Sequence, residues 1–195
     1  FTVKDISIPS SVSEIGEGSF SQCSSLIKIT IPPSVTSIGE YAFSMCSLLT
    51  QLLISPSISL IKDESFINCT SLTHVTIPSS VTSIGDFSFS GCSSLTEVVF
   101  SDQSSIISIG NYAFSDCSSL KQIMIPSSVT SIGDSSFDGC ISLKQISIPS
   151  SVTSIGSFAF NQCTSLVEIS IPSSIILIEN HLFYQCSSLI QVIIP

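Results

Sequence analysis

The chain has 195 residues, of which 43% are hydrophobic and only 10% charged, and its formal net charge is −9 at pH 7. It contains no Arg and its five Lys are scattered, which argues against a nucleic-acid partner and against docking on anionic lipid, since both require clustered cations. The mean hydropathy of +0.60 is high, yet no apolar run approaches the ~18 residues of a membrane span, so direct membrane insertion is not expected.

Cysteine recurs at a nearly constant interval along the chain. Successive gaps are 23 residues, except for one of 25 between Cys92 and Cys117. Each Cys has Phe three residues before it, Ile eight before it and Leu three after it. A fixed interval of this size is typical of a solenoid, in which one short unit is copied and stacked. The register predicts one domain, residues 1–195, of about eight and a half 23-residue repeats.

Each unit is predicted to begin with a short strand. Residues 26–31 alternate so that Ile29 should point inward and Lys28 outward. A Pro, which lacks an N–H, then turns the chain together with Ser. A second extended segment, residues 35–38, ends at Gly39. Fewer than ten residues separate this Gly from the next Leu, so that segment should form a 3₁₀ or irregular helical turn.

The pattern L-x-x-I-x-I-P-x-x-V-x-x-I-G-x-x-x-F-x-x-C resembles the BspA-like branch of leucine-rich repeat proteins over essentially the whole chain. The resemblance implies a curved right-handed solenoid, with short parallel strands on the concave face and second short strands and irregular turns on the other sides. It also implies proteins of the cell surface or extracellular space that act in adhesion and protein recognition. Localisation is expected on this resemblance alone, because the composition is equally compatible with the cytoplasm.

The residues that could carry chemistry give little support to an enzyme. Each Cys should behave as a small buried hydrophobe, and we expect reduced structural thiols, with disulfides or metal binding as alternatives. His74 falls at an outward strand position and His181 in the turn, and neither has the Cys or Ser and the orienting carboxylate that a nucleophilic dyad requires. We therefore expect no catalytic residues, no metal site and no cofactor.

Two local features suggest further hypotheses. Asn68-Cys69-Thr70 matches the acceptor sequon for N-glycosylation, and both Asn68 and Thr70 should be exposed. Such a short motif also arises by chance in a chain rich in Ser and Thr. The two-residue insertion at residues 100–105 should bulge one corner, either as a recognition loop or as neutral variation at a turn.

The outward positions of the first strands vary most in chemical type. Apolar residues there stand beside Gln, Glu and Lys, a mixture that suits a protein ligand, and concave solenoid faces serve recognition. We predict a non-enzymatic recognition or adhesion module whose ligand is a protein, such as a host extracellular-matrix or surface protein. A solvated face without a partner is the alternative. The candidate ligand-binding residues are Lys28, Thr30, Gln51, Leu53, His74, Thr76, Glu97, Val99, Lys121, Gln122, Met124, Lys144, Gln145, Glu168 and Gln191.

The sequence also supports a different function, a structural surface coat or spacer array that self-associates end to end. Neither terminal repeat is a divergent polar cap: Phe1 begins within a predicted strand and Pro195 lies just beyond one. Both terminal coils should therefore expose apolar core and strand edges. We therefore expect that the chain is either part of a longer array or self-associates, in which case dimers or tetramers should form through these surfaces.

Overall fold

A computed structural model of the chain describes residues 4–194, which form a stack of similar coils. Each coil begins with a first strand, turns a corner, and then runs through a second strand and a series of turns. In chain order the strands are β1 (Asp5–Ser7), β2 (Glu14–Ile15), β3 (Lys28–Thr30), β4 (Ser37–Ile38), β5 (Gln51–Leu53), β6 (Leu60–Ile61), β7 (His74–Ile77), β8 (Ser83–Ile84), β9 (Glu97–Phe100), β10 (Ser108–Ile109), β11 (Gln122–Met124), β12 (Ser131–Ile132), β13 (Gln145–Ser147), β14 (Ser154–Ile155), β15 (Glu168–Ser170) and β16 (Gln191–Ile193). The odd-numbered strands and β16 are first strands, and the even-numbered strands from β2 to β14 are second strands.

The first strands pair in parallel with their counterparts in neighbouring coils, as the repeat predicts. Lys28 lies opposite Gln51, and Gln51 lies opposite His74, so that equivalent positions of successive repeats are neighbours. Strands β1, β3, β5, β7 and β9 form one five-stranded sheet, whereas β11 pairs only with β13 and β15 only with β16. The sheet of first strands is therefore interrupted twice, between β9 and β11 and between β13 and β15.

The second strands form a sheet on another side of the coils. The even-numbered strands from β6 to β14 form one continuous sheet, and β2 and β4 form a separate two-stranded sheet. Ser83 pairs with Ser108, which is 25 residues further along the chain. The corner loop therefore absorbs the two-residue insertion and the register of the second strands is kept. In the last coil, residues 175–178 form no second strand, contrary to the repeat pattern.

The segment between the second strand and the next first strand is a series of turns, and residues 4–194 contain no helix. Of the two predicted forms, a 3₁₀ helix and an irregular turn, the structure has the irregular turn. Tyr41 and Met45 both have left-handed φ angles, 55° and 58°, and such residues end a right-handed helix. The backbone also bonds between coils, because the Phe43 N–H donates to the Ser65 carbonyl oxygen at 2.8 Å.

The centre of the solenoid is a column of stacked phenylalanine rings. Consecutive rings from Phe20 to Phe183 have centroids 5.3 to 5.8 Å apart and are inclined by no more than 11°. The six inner rings, from Phe43 to Phe160, are completely buried. Columns of Ile, Val, Leu and Cys surround them and complete one continuous core. Each coil thus covers an apolar face of the next.

Replacing Phe114 with Ala should lower the free energy of unfolding by about 3–5 kcal/mol, because the change removes a fully buried ring. Chemical denaturation monitored by circular dichroism measures this difference. As a control, Ile141→Ala changes a side chain that is 47% exposed and should alter the same free energy by no more than about 0.5 kcal/mol. Equal effects of the two changes would contradict the central position of the phenylalanine column.

Candidate functional site

The structure brings the fifteen candidate residues to one exposed face, which we name the strand face. Each of the fifteen side chains is exposed. Thirteen lie in first strands, and Lys121 and Lys144 each precede one, β11 and β13 respectively. The alternation of the strands is the cause, since in β3 the flanking Lys28 and Thr30 are exposed while Ile29 between them is buried.

Side chains on the strand face are ordered in columns by the parallel register. Residues Lys28, Gln51, His74 and Glu97 occupy equivalent positions in four successive hydrogen-bonded strands. Neighbouring members of such a column are separated by the strand spacing of about 4.8 Å. A ligand that crosses the strands would therefore meet a different side chain at every step along the solenoid.

Large apolar side chains lie in water beside this polar column. Leu53 is 55% exposed, Val99 40% and Met124 76%. They occupy one outward position of β5, β9 and β11, at which the other coils carry Thr or Ser, except for Ile193 in β16. Water-exposed apolar groups on a hydrogen-bonded sheet can be buried by a partner with little rearrangement of the backbone.

Two clefts, each with a volume of about 570 Å³, lie on the strand face. The first is lined by β9, the inserted corner and β11, and the second by residues of β11, β13, β15 and β16. Side chains that line the first cleft include Glu97, Val99, Phe100, Asp102, Met124 and Pro126. Side chains that line the second include Met124, Gln145, Ile148, Glu168 and Ile193.

Two residues that line the first cleft, Phe100 and Asp102, are absent from the fifteen candidates predicted from the sequence. Phe100 replaces the Ile of other repeats at the end of β9 and is only partly buried, whereas the equivalent Ile77 is 1% exposed. Asp102 belongs to the inserted corner and is exposed. The irregular spacing between Cys92 and Cys117 was the available signal, but spacing alone does not reveal which strand pair loses its hydrogen bonds.

A groove of about 560 Å³ lies on the second-strand side, and its acidic residues serve the structure. One Asp86 carboxylate oxygen accepts the Asn111 backbone N–H at 2.7 Å. The Asn111 side-chain oxygen accepts the Asp134 N–H at 2.8 Å, and the Asp134 carboxylate accepts the Ser157 N–H at 2.7 Å. These side chains form a ladder between coils, and their hydrogen-bonding capacity is directed at the backbone of the next coil.

The cysteine side chains form a second ladder inside the core. From Cys46 to Cys186, each thiol donates to the carbonyl oxygen of the Phe in the preceding coil, at 3.0 to 3.3 Å. Burial raises the pKa of Cys46 and of Cys92 to about 12, because the interior disfavours a thiolate. The structure thus places thiols in the packing role expected from the sequence.

The two histidines lie apart from one another. His74 is exposed in β7, and its Nδ1 lies 3.3 Å from the Thr73 hydroxyl. His181 stacks on Phe158 with the ring centres 4.6 Å apart. Within residues 4–194, no three His, Cys, Asp or Glu side chains are grouped so that they could hold a metal ion.

The sequon residues are less accessible than the sequence suggested. Thr70 is exposed as expected, but Asn68 is partly buried. The reason is the next coil, because the Asn68 side chain packs against the backbone of Gly91. In the described part of the chain there is also no helix with the length and apolarity needed to cross a membrane.

The last described coil leaves apolar side chains exposed. Ile178 is 45% exposed, Val192 38% and Ile194 63%. Their counterparts one repeat earlier are Ile155, Ile169 and Ile171, which are 2%, 2% and 1% exposed. Stacking a further coil on this surface, from the same chain or from another copy, would bury it. Phe1 and Pro195, on which the expectation of exposed ends partly rests, lie outside the described residues.

Comparison with known proteins identifies relatives among bacterial repeat proteins. A family model described as "BspA type Leucine rich repeat region (6 copies)" matches residues 2–108 and 100–195. A comparison with functionally curated proteins finds no significant match.

Three solved structures show the same fold. A leucine-rich repeat protein of T. pallidum is 34% identical over 75% of this chain and 67% of its own, with a TM-score of 0.68. One from Bacteroides ovatus is 32% identical over 94% of this chain and 59% of its own, with a TM-score of 0.66. A protein of Faecalibacterium prausnitzii described as a leucine rich cell surface protein is 28% identical over 98% of this chain and 79% of its own, with a TM-score of 0.52. The chain thus spans roughly three fifths to four fifths of these proteins.

The six buried thiols should resist the reagent DTNB in the folded chain at mildly alkaline pH. A pKa of about 12 in place of 9.0 lowers the thiolate fraction about 1000-fold, and burial also blocks access. Cys23 and Cys186 are only partly buried and should react first, whereas denaturation should release all eight thiols. In the control, the double variant Cys23→Ser, Cys186→Ser should lose the fast kinetic phase that these two thiols produce. A fast phase of more than two thiols would contradict the burial of the column.

Proposed function

Because the chain belongs to the BspA-type leucine-rich repeat family, we propose that its strand face recognises a protein ligand outside the cell. Repeats of this family generally occur in protein-interaction or surface proteins and are generally non-enzymatic. One of the structural relatives is described as a cell surface protein. These similarities support a location at the cell surface, and on that basis we propose adhesion as the role with a matrix or surface protein as the ligand.

One observation carries this proposal, the exposure of Leu53, Val99 and Met124 among varied polar side chains of the strand face. Removing such groups from water contributes about 25 cal/mol per Å² of apolar surface. The hydrogen-bonded strands fix the positions of these side chains before the ligand arrives. Less conformational entropy is then lost on binding than with a flexible loop.

Charges of both signs on the strand face would select among ligands. Lys28, Lys121 and Lys144 are distributed with Glu97 and Glu168 over the face, and all five are exposed. Complementary charge on a ligand favours the correct orientation, and like charge excludes other partners. In this function His74 is a contact residue and has no role as a base.

A second candidate function is end-to-end assembly of copies into a coat or spacer. The apolar surface formed by Ile178, Val192 and Ile194 favours it, because these side chains occupy positions that the next coil covers elsewhere in the stack. A coil of another copy could stack there and bury the same columns that internal coils bury.

The triple variant Glu97→Lys, Lys121→Glu, Gln122→Glu should weaken binding to an extracellular ligand at least about tenfold, because it reverses two charges and adds a third in the middle of the strand face. Biolayer interferometry against a panel of purified extracellular-matrix proteins measures this. The matched control is Glu40→Lys, an exposed residue outside the strand face, which should bind as the parent chain does. A panel protein that binds the triple variant as tightly as the parent would place recognition elsewhere.

If copies assemble end to end, light scattering at increasing concentration should show masses that are multiples of 20.6 kDa. The double variant Val192→Asp, Ile194→Asp should then remain at the mass of one chain, because it places charge on the stacking surface. Ile107→Asp is the matched control, since Ile107 is 56% exposed in the middle of the stack. A parent chain that stays monomeric at high concentration would eliminate the second candidate.

A further inference from the structure

We propose that the first cleft of the strand face is the anchor site for one aromatic side chain of the protein ligand, and that a Lys or Arg stands beside this residue in the ligand. The proposal rests on the function proposed for the strand face. It names the part of that face, and the ligand chemistry, that supply most of the binding.

The first cleft lies where the chain departs twice from its own repeat. Phe100 occupies a position at which every other repeat carries Ile, such as Ile77. The corner that follows it, residues 101–105, is two residues longer than the corresponding corners. Asp102 and Gln103 of this longer corner line the cleft. The cleft is therefore a local feature of one coil in an otherwise regular solenoid.

The surrounding coils hold the walls of the cleft in place. In the core, the rings of Phe89 and Phe114 stack at 5.5 Å, and the second strands β8 and β10 are paired. Strands β9 and β11 remain neighbours although no hydrogen-bonded ladder joins them. The cleft is thus a depression in a continuous face. Because its shape exists before a ligand arrives, less entropy is lost on binding.

The apolar part of the cleft suits an aromatic ring. Val99 and Met124 line it and are 40% and 76% exposed, and Phe100 is only partly buried. The Met sulfur makes favourable contacts with aromatic rings, and its flexible side chain can follow their shape. A ring of the ligand can also pack edge to face on Phe100. An aliphatic side chain would lack both contacts.

The size of the cleft agrees with this occupant. Its volume of about 570 Å³ lies within the range of roughly 300–1,000 Å³ that is typical of ligand sites. A Phe, Tyr or Trp side chain removes about 150–250 Å² of surface from water when it is buried. Aromatic side chains seated in a pocket are accordingly frequent among the residues that contribute most to protein interfaces.

The charges of the cleft favour a basic residue beside the ring. Glu97 and Asp102 line the cleft and are exposed, and no Lys is among the lining residues. Glu97 begins β9 and Asp102 follows its end, so that the two carboxylates flank the apolar residues along the chain. A Lys or Arg next to the aromatic residue of the ligand would meet a carboxylate, whereas an acidic residue there would be repelled.

The second cleft is less suited to this role. Its lining contains one carboxylate, Glu168, and no aromatic side chain. Met124 lines both clefts, whereas Phe100 and Asp102 line the first and not the second. Changes at Phe100 and in the longer corner therefore test the first cleft specifically.

The test uses fluorescein-labelled twelve-residue peptides with one central Trp, Leu or Ser and with two Lys or two Glu beside it. Fluorescence anisotropy with the whole chain should show the tightest binding for Trp with Lys. Its affinity should be at least about fivefold higher than that of Leu with Lys and at least about tenfold higher than that of Trp with Glu. Equal binding of the Trp and Leu peptides, equal binding of the Lys and Glu peptides, or no binding by any peptide would overturn the proposal.

Three variants remove parts of the cleft while they keep to the repeat pattern. Phe100→Ile restores the usual residue at the end of β9, and Met124→Thr introduces the residue found at the equivalent positions 30 and 76. Deletion of residues 102–103 restores the 23-residue interval. Each variant should bind the Trp peptide with Lys at least about fivefold more weakly, and a cooperative thermal transition shows that it folds. Unchanged affinity of Phe100→Ile and of the deletion variant would contradict the assignment.

The matched control is Ile107→Thr, next to β10 on the second-strand side and outside the strand face. It also replaces an exposed apolar side chain, 56% exposed, with the residue found at the equivalent positions 82 and 130. This variant should bind the Trp peptide as the parent chain does. An equal loss of affinity in Ile107→Thr would show that the peptide adheres to apolar surface in general, and the anchor assignment would be wrong.

The same variants separate the anchor from the function on which it rests. A matrix protein that is lost from the Glu97, Lys121 and Gln122 triple variant but binds Phe100→Ile and the deletion variant normally would overturn the anchor assignment alone. The function proposed for the strand face would then still stand.

Discussion

The register between successive coils is the constraint on which the rest of this structure depends. It is held from within, by phenylalanine rings stacked at 5.3 to 5.8 Å and by thiols that donate to the carbonyl groups of the preceding coil. Both contacts require the same residue at the same place in every repeat. The Phe rings can stack only if each ring lies at the same position within its coil. The thiol also reaches the carbonyl oxygen of the preceding coil only in that register. The strict spacing of the sequence is the consequence.

This constraint separates positions that hold the fold from positions that are free to vary. The inward residues are nearly identical from repeat to repeat because each packs on its own counterpart. The acidic side chains of the second-strand side are also occupied, since Asp86 and Asp134 bond to the backbone of the next coil. Chemical variety is left to the outward positions of the first strands. Recognition is therefore proposed for a surface that the fold does not need for its stability.

The insertion after Phe100 shows how such a scaffold acquires a local feature without losing its register. The core and the second strands continue across it, since Ser83 still pairs with Ser108. The added residues lie in a corner, and the change in the first strands is limited to the lost pairing between β9 and β11. The second interruption, between β13 and β15, has no insertion beside it, and nothing in the structure explains it. At both interruptions the strands remain neighbours, so the surface stays continuous although the ladder of hydrogen bonds is broken.

The sequence by itself determined the repeat, the inward columns of Phe, Cys, Ile and Leu, and the outward exposure of all fifteen candidate residues, because periodicity directly encodes which side of a strand faces the core. Only the tertiary structure decided features that depend on contacts between coils. These are the left-handed turn residues such as Tyr41 and Met45, the partial burial of Asn68 against Gly91, and the clefts beside Met124. The physical reason is that strand pairing and packing across coils are long-range, so one repeat read alone does not contain them.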